Sequence, residues 1–153
     1  MTVTIDSPDL RAFIKDLDNA PQKVKDELRD ALRKGATTIQ RETISEAPVN
    51  DGILRANIRV SYPSQLTAVV ASQAEHSAPV HEGSKPHRAP FNVIEKWANK
   101  KGIPAGAVWM SIAKKGTKAN KFMKRGVDNS RKSIQRYFST ANTNVAKYLS
   151  EGK

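Results

Sequence analysis

Three histidines and a glutamate, His76, His81, Glu82 and His87, crowd into one short stretch of this 153-residue chain. Imidazoles and carboxylates at close spacing are the usual makings of a metal site or an acid–base pair. A zincin-type site needs two histidines four residues apart on one helix, with the glutamate between them. Here the next histidine after His81-Glu82 is His87, outside that spacing. The chain contains no cysteine, so no thiolate can complete a structural zinc site and no disulfide or cysteine nucleophile is available. His81 and Glu82 could act as a general-acid/base pair, but no nucleophile or substrate-pocket motif accompanies them. Gly116-Thr117-Lys118 lacks both the upstream glycine and the Gly-Lys-Ser/Thr ending of a phosphate-binding loop. The residues therefore point away from an enzyme, and no catalytic residue, cofactor or metal is expected.

Charge is the stronger signal. The formal net charge is +11, yet residues 1–84 carry a net −2 and residues 85–153 a net +13. Lys114, Lys115, Lys118, Lys121, Lys124 and Arg125 cluster around one connector and the start of the last helical segment, and Arg131, Lys132 and Arg136 extend the patch. Such a surface seeks polyanions or acidic protein faces. Binding to DNA phosphates would be non-specific and would weaken steeply with salt. No DNA-reading module is visible, and aromatic residues are not interleaved with the basic ones for base stacking. Contact with an acidic partner and simple solubility explain the patch equally well.

The elements that must hold these residues follow from periodicity and punctuation. Thr2–Ile5 reads as a strand or arm. Ser7 caps and Pro8 opens a helix with Leu10, Phe13, Ile14 and Leu17 on one face. Pro21 restarts the helix, and Val24, Leu28, Ala31, Leu32 and Ile39 continue an apolar face to about Glu46. Pro48 and Asp51-Gly52 end it. Residues Ile53–Tyr62 alternate apolar and polar and predict a half-buried strand, with Arg55 and Arg59 on its polar face. After a turn at Pro63-Ser64-Gln65, Leu66–Ala71 returns as the second strand of a hairpin. Glu75–Ser84 reads as an edge strand or extended loop because of Pro79. Helices are expected at Phe91–Lys101 and from Pro104 to Lys115, with Trp97 and Trp109 on apolar faces. Thr117–Phe122 offers a further short strand. From Met123 to Leu149 a long amphipathic helix is expected, its apolar face being Val127, Ile134, Phe138, Ala141, Val145 and Leu149. The layout is α+β: a small antiparallel sheet packed with a long N-terminal and a long C-terminal helix, two short helices between, in one domain over residues 1–153. Hydrophobic residues make up 38% of the chain and aromatics 6%, a lean core that leaves apolar surface for partner subunits. Neither a secretion signal nor a membrane-spanning apolar run is present.

Three segments, in order, resemble a family of long-tailed bacteriophage tail components. Ala47-Pro48-Val49-Asn50-Asp51-Gly52-Ile53-Leu54-Arg55-Ala56-Asn57-Ile58 is similar to its Ala-Pro, spacer, Gly-x-Leu-Arg signature. Ser77-Ala78-Pro79-Val80-His81-Glu82-Gly83-Ser84-Lys85-Pro86-His87 resembles its Tyr-Ala, two residues, Val-Glu-Gly-Thr-x-Pro-His segment. Gly116-Thr117-Lys118-Ala119-Asn120-Lys121-Phe122-Met123 is similar to its Gly-Thr…Pro-Phe run, with Lys121 in place of the proline. The resemblance runs from about Leu10 to Leu149. It implies a small α/β domain in a tail-completion, neck or head–tail joining protein of the virion, made in the host cytoplasm. It also implies self-association in a ring, guessed as a hexamer, around the DNA channel, with contacts to tail terminator, tail-tube or connector proteins and no membrane. In that setting Arg55, Arg59, His81, Glu82, Lys85 and His87 are candidate subunit or partner contacts. The basic patch would face DNA or an acidic partner. The alternative is a free, non-specific DNA-binding protein that uses the basic C-terminal half.

Overall fold

A computed structural model describes residues 21–151. The expected strand or arm and the helix start at Ser7-Pro8 lie outside the described residues. The elements are α1 (Gln22–Glu46), a single helical turn α2 (Ile53–Ala56), β1 (Ile58–Ser64), β2 (Thr67–Ser72), α3 (Ser77–Glu82), α4 (Phe91–Lys101), α5 (Ala105–Lys115) and α6 (Phe122–Ser150). This is the α+β arrangement expected, with long helices at both ends of the described chain.

α1 and α6 pack antiparallel along most of their length. Asn144 donates to Glu27 at 2.8 Å near one end, Thr38 lies 3.4 Å from the Tyr137 hydroxyl at the middle, and Arg125 meets Glu46 at 2.6 Å near the other. Toward the start of α1, Val24 and Leu28 pack with Val145 and Tyr148 of α6, but the rest of the seam is made of small side chains. Ala31, Gly35, Ala36, Thr38 and Thr43 are buried on α1, and Gly126, Ser130 and Ala141 on α6. At Gly126 the backbones approach so closely that an added Cβ would sit 2.6 Å from Thr43 Cα and 2.7 Å from its nitrogen. Of the expected apolar stripe on α6, Ala141 is buried and Val127, Ile134 and Val145 are half-buried, but Phe138 and Leu149 are exposed. Large apolar side chains would hold the helices apart, so the small ones take the centre and the bulky ones fall to the flanks.

β1 and β2 form a two-stranded antiparallel sheet laid on α1, with Ile58 opposite Ser72 and Val60 opposite Val70. A bulge between Ser61 and Ser64 accommodates Pro63, which cannot donate to the ladder. Ile58, Val70, Leu54, Ala36, Ala47, Phe122 and Met123 close the main core beneath the sheet.

Three expectations are corrected. Ile53–Ala56 is helical rather than strand: Gly52 takes φ +82°, and Ala56 N–H donates to Gly52 O at 3.0 Å. The segment around Pro79 is helix α3 rather than an edge strand, because proline is tolerated in a helix's first turn. Thr117–Phe122 is no strand; it contributes one bridge, Ser84 to Thr117, before α6 begins at Phe122. α4 falls as expected, and α5 begins just after Pro104, forming a helical hairpin with it.

Candidate functional site

The second and third sequence segments meet in space. Ser84 and Thr117 exchange backbone hydrogen bonds at 3.1 Å in each direction, and their hydroxyls lie 3.0 Å apart. Gly83 and Gly116 flank the crossing with φ of +78° and +72°. A Cβ at Gly83 would lie 2.9 Å from Ala119 N, and one at Gly116 2.8 Å from the Lys85 carbonyl carbon. Both positions therefore require glycine for conformation and for space. Just beyond, Asn120 and Lys121 donate their N–H groups to Val80 O and His81 O, each at 3.0 Å.

His81 sits at the centre of this joint, 4% exposed. Its Nδ1 accepts the Met123 N–H at 3.3 Å, one of the donors left free at the start of α6. Its ring meets Phe122 edge-on at 5.2 Å. Accepting at Nδ1 puts the proton on Nε2, which lies 3.5 Å from Glu82 Oε1. Burial holds the imidazole below its ordinary pKa; Glu82 opposes this, while Lys121 and Arg125 add to it. Glu82 pairs with Lys121, whose ammonium holds that carboxyl below the usual range. Lys121 itself has φ +56°. Proline, fixed near −65° and lacking an N–H, could neither take that angle nor donate to His81 O. The departure from the resembling pattern thus has a local structural counterpart.

Arg125 is part of a clasp between α1 and α6. Its guanidinium donates to the Glu46 carboxylate at 2.6 Å, to Glu46 O at 3.2 Å and to Asn120 Oδ1 at 2.9 Å, and it also binds Asn120 O. Arg125 lowers the pKa of Glu46, and Asn129 supports the same carboxylate at 3.0 Å. Lys121 and Arg125 therefore have internal partners. Lys114, Lys115, Lys118, Lys124, Arg131, Lys132 and Arg136 remain exposed; Arg131 is 3.6 Å from Asp128, and Arg136 lies 5.7 Å from the Tyr137 ring.

The remaining candidates are separated. Arg55, on the helical turn instead of a strand, donates to Ala47 O at 2.8 Å and Ser45 O at 3.0 Å, tying the turn to the end of α1. Arg59 is exposed on β1 opposite Ala71. Lys85 is exposed, and so is His87, whose Nδ1 is 2.9 Å from Lys85 O. Among the described residues no three His, Asp or Glu side chains gather as a metal site, and no helix is long and apolar enough to cross a membrane.

Two surfaces went unread in the sequence. One is a cleft of about 360 Å³ lined by Arg29, Arg33, Tyr62, Ser64 and Gln65. The other is the α4–α5 hairpin, which exposes Phe91, Val93, Ile103 and Met110 while tying Trp109 Nε1 to Ala89 O at 2.8 Å. An arginine pair at helical spacing facing a strand tyrosine was the only hint of the first.

A family model described as "Bacteriophage HK97-gp10, putative tail-component" matches residues 11–91, a span that takes in α1, the β-hairpin and α3 and stops at the first residue of α4. No curated protein and no solved structure matches.

Proposed function

From the premise that this chain belongs to the bacteriophage HK97-gp10-like tail-component family, we propose that it is a structural virion protein of the neck or tail end. It completes the tail or joins it to the head as a subunit of a ring around the DNA channel, and it makes and breaks no bonds. The observation that carries this reading is the family match over more than half the chain. The geometry supports it: Gly83, Gly116, His81 and Arg125 are taken up by the joint between elements, so they shape the subunit. The exposed lysines and arginines of α5, the connector and α6 supply a charged outer face toward passing DNA or an acidic neighbour. The sheet edges and residues 72–90 are the surfaces assigned to subunit contact.

Native mass measurement and negative-stain imaging of the purified chain, alone and with tail-tube or connector proteins, test the reading. Rings, or attachment to tail ends, are expected. A strict monomer that joins neither would overturn it.

The same exposed basic face supports a second reading, non-specific DNA binding by a free protein. That reading requires the isolated chain to shift duplex DNA at low salt. The logarithm of affinity should then fall by about 0.9 per phosphate contacted for each unit of log salt.

A further inference from the structure

The cleft beside α1 and the loop beyond its far end have complementary unspent groups. In the cleft, Arg29 is held by Asp26 at 2.8 Å and by Gln65 at 2.7 Å, fixing one wall. Arg33 lies 5.7 Å from the centre of the Tyr62 ring and makes no ion pair among the described residues. An arginine with no carboxylate partner among the described residues, set over a half-exposed tyrosine, joins two residue types enriched where binding energy concentrates.

The loop after α1 presents the opposite chemistry. Val49 and Ile53 are 52% and 49% exposed, on either side of Asp51. Asp51 also makes no ion pair among the described residues; its carboxylate accepts only the Ile53 N–H, at 3.2 Å. Gly52 at φ +82° and the two Arg55 bonds to Ala47 O and Ser45 O give the loop one shape, so little order is lost on docking. Of the other described acids without an ion pair, Asp30 and Glu75 lack such apolar flanks, and Glu95 sits among Lys96, Lys100 and Lys101 in the strongly basic hairpin. Arg33 and Ala47 are fourteen residues apart on one straight helix, roughly 20 Å at 1.5 Å per residue. Asp51 therefore cannot fill the cleft of its own chain.

We infer that the cleft formed by Arg29, Arg33, Tyr62, Ser64 and Gln65 receives the Val49–Ile53 loop of a second copy, with Asp51 on Arg33 and the two apolar side chains against Tyr62. Cleft and loop are different surfaces, one beside the first half of α1 and one beyond its last residue, so the contact is head-to-tail, the type that generates rings when its rotation closes. The inference rests on the ring reading above and adds one defined contact to the sheet edges and residues 72–90 named there.

The test is charge exchange in the full chain, read by native mass spectrometry and sedimentation over a concentration series at low and moderate salt. Asp51→Lys and Arg33→Glu each weaken assembly at least tenfold, while the double variant, whose charges again oppose across the interface, recovers to within about threefold of the parent. Circular dichroism melting, read at a concentration where every variant is monomeric, is expected to stay close to the parent, because both residues are exposed. Asp51→Asn, which keeps an acceptor for the Ile53 N–H, and Arg33→Gln weaken assembly too, by less than the reversals. Assembly indifferent to both reversals, or a double variant no better than the singles, overturns the pairing while the ring reading stands. A parent chain that stays monomeric at every concentration, with and without tail proteins, overturns both.

Discussion

The two helical pairs of this chain are built from opposite kinds of side chain. In the α1–α6 pair the middle of the buried seam is alanine, glycine, serine and threonine, with Thr43 facing Gly126 at backbone contact. Val24 and Leu28 on α1 and Phe122 and Met123 on α6 are buried toward its two ends. The α4–α5 hairpin carries two tryptophans, a phenylalanine, a methionine and several branched aliphatics, yet Ala98 is its only buried residue. Hydrophobicity alone does not decide what is buried. Close approach decides it, and small side chains permit the closest approach. The long pair is the frame, and the hairpin is apolar surface kept outside it, the kind that marks contact sites on soluble proteins.

Phe122→Ala should break the frame most severely. Phe122 is fully buried at the start of α6, and such a truncation costs about 3–5 kcal/mol, measurable as a lowered urea midpoint. Gly126→Ala should follow at about 1–3 kcal/mol from overpacking against Thr43, whereas Ala at Gly106, where an added Cβ meets nothing, should be tolerated.

Smaller again, and conditional on pH, is the His81 contribution. Its folded-state pKa lies below its ordinary value, so the unfolded chain takes up the proton first. The stability from neutral His81 is complete above the unfolded value of about 6.5 and is lost as pH falls through the folded one. Thermal melts of the parent should therefore decline on acidification below about pH 6.5, before the Glu82–Lys121 pair is affected at still lower pH. His81→Gln, whose side-chain oxygen can accept the same N–H, should flatten that decline. The smallest effect is expected in the hairpin. Val93 is 59% exposed, and Val93→Ser should change stability by less than about 0.5 kcal/mol. A large loss there would mean the hairpin belongs to the frame and would dissolve the contrast.

Much of the frame was legible in the sequence. Pro21 and the apolar spacing placed α1 and most of α6 closely, and the glycines at 102 and 116 did the same for the hairpin helices α4 and α5. Leu54 and Ile58 misled because residues four apart share a face in a strand and also in a helix. Strand periodicity was read there, while Gly52 and the Asn57 side chain, which donates to Ile53 O at 2.8 Å, fixed a helical turn. The seam on α6 was read only in part: Ala141, Ile134 and Val145 were on the expected face, but Gly126 and Ser130 were not, because periodicity searches follow large apolar residues. Around His81 the local neighbours His81 and Glu82 were noticed, but their partners Lys121 and Met123 are some forty residues away. Arg125, grouped with the exposed basic patch by sequence, has Glu46 as a partner seventy-nine residues earlier. Pairing over such distances leaves no trace in spacing.

The Ser84–Thr117 bridge has a consequence for how such a protein can change. Antiparallel partners stand about 5 Å apart, so residues 85–116 leave and re-enter the frame through adjacent points, as a cassette clipped at its neck. The bridge rather than the hairpin closes this neck, so a short turn in place of residues 85–116 is expected to span the same gap and leave the α1–α6 packing intact. On the role proposed above, the hairpin is the part of the subunit that can change to suit a new neighbour while α1 and α6 keep their packing.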